Sequence, residues 1–422
     1  MKDISRYFAW NIIVDPMRRF YCFFLLFLTL FSCVSPENEG LREGRWLAQL
    51  EVMDNKVLPF NFDLRKEESG YVMDIYNAGE TIQVDEIEID NDSIKIKMPA
   101  FEGYISGTYS NSAINGEFIK ESLDRIVPFY AVFGDSARFR SSENAGFNVS
   151  GIWETKFSPD TDEEYLAKGI FTQEKNMVTG TFRTNTGDYR YLEGIVDGDS
   201  LRLSTFDGAH AFLFTAKVTD SSLSGTYYSG NHFKEPFIAR RNEQFELADA
   251  ESLTFLKEGY DELQFSFPDT NDNLISLEDS RFKEKVVIIQ IMGTWCPNCL
   301  DETRFLSDYI NTGKRDNLEV VALAFEYAKT KDLAFQRIER LKSRVGVPYP
   351  ILLAQYGSSD KIKANEKLPM LNHILSYPTT IFIDKGGKVR KIHTGFNGPA
   401  TGHKYIEFKE DFEDYIDLLL SE

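Results

Sequence analysis

The chain has 422 residues, which at roughly 150 residues per domain predicts two or three domains. Its 47 basic and 66 acidic side chains leave a net charge of −19. A surface this acidic repels phosphate backbones, so no nucleic acid is expected as a partner. Hydrophobic residues at 42% exclude bulk disorder, 34 Phe and 20 Tyr favour β structure, and four cysteines are too few for a disulfide-built scaffold.

The first element is an apolar run, Phe20 to Phe31, preceded by Arg18 and Arg19. Its 12 residues fall short of the roughly 20 that cross a bilayer as a helix, so it reads as a secretory signal. Leu30-Phe-Ser-Cys33 follows and resembles a bacterial lipobox. The resemblance implies that residues 1–32 are a removed signal peptide and that Cys33 is acylated, anchoring the protein in a membrane of the cell envelope. Asp3 and Asp15 do not suit a signal, so Met17 is a candidate start. Residues 33–43 are polar and form a tether, and Val34 in place of Asp leans toward the outer membrane, facing the periplasm or the cell surface. Loss of the signal removes Cys22 and leaves Cys296 and Cys299 as the thiols of the folded part.

From 44 to 245 the chain alternates apolar and polar residues, as half-buried strands do. It also repeats itself: Gly44-Arg-Trp46 returns as Gly151-Ile-Trp153, and Asp90-Asn-Asp-Ser returns as Asp197-Gly-Asp-Ser, both 107 positions on (46 to 153, 90 to 197). Two all-β repeats of about 100 residues are predicted, 44–148 and 149–245, as small barrels or sandwiches. Trp46 and Trp153 are expected in the cores, and Asp90, Asp92, Asp197 and Asp199 in Asx turns. His210 and His232 stand alone, without metal-ligand spacing, so no metal is expected. A docking or spacer module is the favoured role, with a ligand-binding barrel as the sharper alternative. Residues 246–262 have helical spacing and predict a connecting helix.

The remaining segment, 263–422, carries the chemistry. Val286–Met292 reads as a strand buried on both faces. Gly293-Thr-Trp-Cys-Pro-Asn-Cys299 follows, then an amphipathic helix. Strand, Cys-x-x-Cys, helix is the setting of a redox pair. Cys296 would sit at the helix N-terminus, where free N–H groups and the helix dipole stabilise a thiolate. It would attack a substrate disulfide, and Cys299, one turn on, would resolve the mixed disulfide. Glu302 shares the helix face of Cys299 and can take its proton. A structural zinc would need two further ligands. Downstream, strands are expected over 318–325, near 349–353, over 379–384 and 389–394, with a hairpin turn at Gly386-Gly387. Helices are expected over 329–344 and 404–420, with another contained within 361–374.

With these residues in hand, the segment resembles the thioredoxin superfamily, most closely the TlpA/ResA-type thiol–disulfide oxidoreductases, in the Bacteroidetes-like lipoprotein form with an N-terminal β-rich region. The motifs carrying the resemblance are the Cys296 loop, Glu302 and Tyr377-Pro378-Thr379. It implies an α/β thioredoxin fold, a cis bond before Pro378, and a substrate-binding surface from Trp295, Pro297, Tyr377 and Pro378. No cofactor is implied beyond the cysteine pair. The implied partners are client proteins with disulfides or thiols and a membrane thiol electron donor. Arg304, where relatives carry proline, and Gln290, where cytosolic thioredoxins bury an acid, depart from the pattern. The alternatives are a thiol peroxidase of the AhpC/TSA-redoxin type, whose motif proline is replaced here by Ile289, and a partner-binding lipoprotein with an accessory redox domain. The glycine-rich loop 394–402 lacks phosphate-loop spacing and is expected near the active-site end. His373 and His393 are not expected to be catalytic.

Overall fold

The computed structural model describes residues 40–313 and 316–422; the expected signal peptide, Cys33 and the tether through residue 39 lie outside them. The first β unit is a nine-stranded antiparallel sheet running from Gly44–Glu51 to Arg125–Phe133. Its first strand pairs with both the second and the ninth, so the meander curls back on itself. Its two edge strands are Glu80–Val84 and Glu86–Asp90. The second unit runs from Gly151–Phe157 to Phe233–Arg241. Here Tyr165–Glu174 pairs with Met177–Thr184 as well as with Gly151–Phe157, which closes the sheet into a barrel. Closure leaves no long unpaired edge.

The sequence repeat is also a structural one. Gly44 and Gly151 open their units at φ of 115° and 114°, in the left-handed half of the map that favours glycine. Trp46 and Trp153 are fully buried, and each indole N–H donates to the carbonyl four residues back, Arg42 at 3.1 Å and Val149 at 2.8 Å. The barrel interior is filled with rings: Phe157 lies 5.0 Å from Tyr165, 5.4 Å from Phe182 and 5.5 Å from Phe237 between centroids. These rings occupy the space that a ligand-binding barrel would keep open. Phe157→Ala is expected to destabilise the barrel by about 3–5 kcal/mol, read as an earlier calorimetric transition. Asp197 does not make a local Asx turn. It accepts the backbone N–H groups of Ser142 (2.9 Å) and Glu143 (2.8 Å), fastening the crossing between the two units.

The connecting helix expected over 246–262 does not form. The segment runs as a strap of turns and short bridges along the C-terminal domain, several of its backbone groups paired outside itself. Lys257 donates to the Met370 carbonyl at 2.8 Å, and Ala250 and Asp261 accept from Thr394 (3.0 Å) and Val389 (2.9 Å). These partners satisfy the groups that a helix would pair internally, and tertiary contact overrides propensity.

The C-terminal domain has strands β1 Val286–Met292, β2 Leu318–Phe325, β3 Ile351–Gln355, β4 Thr379–Ile383 and β5 Val389–Thr394. Their order is β3-β2-β1-β4-β5, with β3, β2 and β1 parallel and β4 and β5 antiparallel to their neighbours. Helices are α1 Pro297–Thr312, α2 Lys331–Val345, α3 Lys361–Asn365 and α4 His403–Ser421. Every residue of β1 is buried, because helices cover both faces. α3 is the helix expected within 361–374; Pro369, which lacks an N–H and disfavours helical backbone before it, keeps it from continuing through the span. Arg337, Arg340 and Arg344 share one face of α2 and dock it on the first β unit, Arg337 on Glu102, Arg340 on the Met98 carbonyl at 2.8 Å, Arg344 on Asp85 at 2.8 Å.

Candidate active site

β1 ends at Met292 and the chain turns through Gly293 and Thr294 into α1. A Cβ on Gly293 would lie 2.3 Å from the Trp295 indole nitrogen, so glycine is what lets Trp295 fold back. Thr294 is held by Glu326 at the end of β2, which accepts its N–H at 2.7 Å and its hydroxyl at 2.8 Å. Burial pushes the Glu326 carboxyl up to about 6. Cys296 is the N-cap of α1 and Pro297 fills the first turn, where a missing N–H is harmless. The Cys296 sulfur accepts the Cys299 N–H at 3.2 Å, the bond that would stabilise a thiolate there. Both thiols are free. Cys299 is fully enclosed, and burial, reinforced by Cys296, pushes its thiol well above the ordinary range.

Glu302 lies one turn beyond Cys299 on α1 and is enclosed by β1 and β4. Thr380 donates to one carboxylate oxygen at 2.5 Å and the Gln290 amide to the other at 2.9 Å. Burial raises its pKa from 4.5 to about 7, and these two hydrogen bonds hold it from rising further. The same Gln290 amide reaches the Cys299 carbonyl at 3.3 Å, and Thr303 donates to its oxygen at 3.1 Å. Gln290 therefore braces both Cys299 and Glu302.

The Tyr377–Pro378 peptide is cis, and the Tyr377 carbonyl accepts the Cys296 thiol at 3.4 Å. Trp295 donates to the Phe325 carbonyl at 3.0 Å and stands edge-on to Tyr377 at 5.5 Å. The structure thus brings Trp295, Cys296, Pro297, Cys299, Glu302, Tyr377 and Pro378 together; Cys33 lies outside the described residues. The glycine-rich loop does border the site: Gly395 donates to the Pro378 carbonyl at 2.9 Å. His393 is buried against Phe408, and burial holds its pKa down near 4.

Sequence reasoning missed three parts of the site. Glu326 follows an unbroken apolar strand, and an acid in that position was the signal available. The barrel turn at 185–187 forms the rim opposite Pro378: Ser376 donates to the Thr186 carbonyl at 2.7 Å, and a Cβ on Gly187 would press on the Asn298 amide at 2.7 Å. Arg190, almost wholly buried, joins Glu80 of the first β unit at 2.5 Å and Asp301 of α1. Nothing local in the sequence marks the last two.

Sequence comparisons with known proteins fall on the same region of the chain. The family model described as Redoxin matches residues 258–405. The thiol-disulfide oxidoreductase ResA of Bacillus subtilis (strain 168) is 28% identical over 153 residues, 36% of this chain and 75% of the relative. The thioredoxin-like protein YneN of the same strain is 27% identical over 140 residues, 33% of this chain and 73% of the relative. A solved thiol:disulfide interchange protein of Chlorobium tepidum TLS, 21% identical, covers 39% of this chain and 98% of its own, with a TM-score of 0.29. The C-terminal region carries a redoxin domain, and over that region the chain is similar to thioredoxin-like thiol–disulfide oxidoreductases.

Proposed function

We propose that the protein is an envelope lipoprotein, held to a membrane through acylated Cys33, that reduces disulfides in client proteins with Cys296 as nucleophile and Cys299 as resolving thiol. The observation that carries the assignment of roles is the asymmetry of the pair: Cys296 caps the helix and receives an N–H, whereas Cys299 is sealed beneath it. The Cys296 thiolate attacks one sulfur of the client disulfide; a mixed disulfide forms and the other client sulfur leaves and takes a proton. Glu302, as carboxylate, draws the proton from Cys299, whose thiolate then attacks the Cys296 sulfur. The second client thiol is released and the Cys296–Cys299 disulfide holds the two electron equivalents of oxidation. A membrane thiol donor would return the electron pair, because the envelope lacks a cytosolic thiol pool. Pro378 and its neighbours would offer backbone to an extended client segment.

The test is the reduction potential of the pair in the chain from residue 33, with Cys33→Ser leaving one thiol pair, by dithiothreitol titration. A value below about −220 mV is expected for a reductase. One near about −120 mV would mean that the protein oxidises its clients, and would reverse the direction proposed.

A further inference from the structure

A cleft of about 220 Å³ opens where both β units meet the redoxin domain. Lys120 and Arg125 enter it from the first unit, His210 and His232 from the barrel, Trp295 and Tyr327 from the redoxin domain. Trp295 directly precedes Cys296, and its ring lies 5.5 Å from that of Tyr327, so the cleft adjoins the redox loop.

Its charge is unusual among the described residues in being buried without a paired carboxylate. Elsewhere in this acidic chain arginines and lysines mostly meet carboxylates. Lys120 is only 8% exposed, and its ammonium donates to the Ala209 carbonyl at 3.1 Å. Among the described residues neither Lys120 nor Arg125 has a carboxylate within ion-pair distance; His210 alone does, its Nδ1 3.3 Å from Asp207. Burial, together with Arg125, brings Lys120 down to about 8 despite the opposing pull of the more distant Glu102 and Asp207 carboxylates, and burial with Arg125 and Lys120 brings His232 down to about 4. Facing cations in a half-enclosed space are unfavourable until an anion joins them. The volume suits one side chain and falls below that of pockets for drug-sized molecules.

We propose that this cleft is an anion subsite of the redox site, receiving the carboxylate of an acidic residue that flanks the client's reactive cysteine. The inference rests on the disulfide-reductase reading and adds a substrate preference to it. A client segment crossing Cys296 alongside Tyr377 and Pro378 would pass Trp295, and a glutamate or aspartate next to its cysteine would reach Lys120 and Arg125. The same carboxylate chemistry could instead come from a small acidic disulfide, and the experiment separates the two sources.

The experiment uses the chain from residue 33 with Cys33→Ser, reduced, and two disulfide-linked peptides that differ by Glu or Gln beside the cysteine. A preference for the Glu peptide of about tenfold in kcat/KM, residing in KM, is expected at low salt and should fade at 0.5 M salt, roughly as a screened contact does. The Glu/Gln ratio should fall towards one in Lys120→Met and in Arg125→Gln. Arg125→Glu, at a partly exposed position that spares the fold, should favour a Lys-flanked peptide. Equal rates for the two peptides in the unaltered chain would overturn the subsite while leaving the reductase reading intact. An unchanged ratio in all the variants would also overturn it. Glutathione disulfide reduced faster than the Glu peptide would overturn the peptide source in favour of a small disulfide. If neither peptide nor glutathione disulfide is reduced, the reading beneath the proposal fails as well.

Discussion

Cys296→Ser is expected to lower disulfide reduction by more than about a thousandfold, because no other thiol of the folded region can open the client bond. Cys299→Ser is expected to behave differently, and the difference carries the assignment. It keeps Cys296 at the helix cap, so the first attack still occurs. It lacks the thiol proposed to resolve the product, so a covalent one-to-one adduct with the client should accumulate. Intact-mass spectrometry under non-reducing conditions distinguishes the two: adduct in Cys299→Ser, none in Cys296→Ser. The structure supplies the reason. Cys296 is 7% exposed and touches the Tyr377 carbonyl at the site surface, while Cys299 is 0% exposed with its thiol held protonated by burial. Equal residual turnover in the two variants would sink this division of labour.

Glu302→Gln is expected to have two large effects of opposite benefit. The carboxyl titrates near 7 when folded against 4.5 as an ordinary glutamate, so the native state binds its proton more tightly than the unfolded chain does. Stability then falls as pH rises from about 4.5 to about 7, by about 3 kcal/mol in all. The glutamine variant escapes this loss. It should melt higher than the parent at pH 8 and close to it at pH 4, in calorimetry at both pH values. The second effect is on rate. In the proposed mechanism the carboxylate form is the base for Cys299, so decay of the mixed disulfide in the parent should speed up as pH rises through 7. The variant should lose that rise and slow by about a hundredfold. Stopped-flow decay between pH 5 and pH 9 reads it; an unchanged profile would reduce Glu302 to a packed polar residue.

The redox loop was legible because its chemistry is local. Seven consecutive residues after a buried strand fix which sulfur caps the helix, and three residues further along the same helix place Glu302. Trp46 and Trp153 were legible as core because the repeat marks them twice. The strap at 246–262 was not: its helical spacing is real, but its backbone partners, Met370, Val389 and Thr394, come from more than 100 residues away. The same distance hid the cleft. His210 and His232 look isolated along the chain and converge with Lys120 only when two sheets and the redox loop are packed together.

Arg190 sets how the molecule can be taken apart. Its guanidinium, 3% exposed as a side chain, is shared between an acid of the first β unit and Asp301 in the redox helix. A redoxin domain excised near residue 262 would carry Asp301 away from that cation and lift the barrel turn off Asn298. The β region is thus less a passenger than a mould: the helix that bears Cys296 and Cys299 is seated against it, and chemistry measured on the liberated domain would be that of a helix with one wall removed.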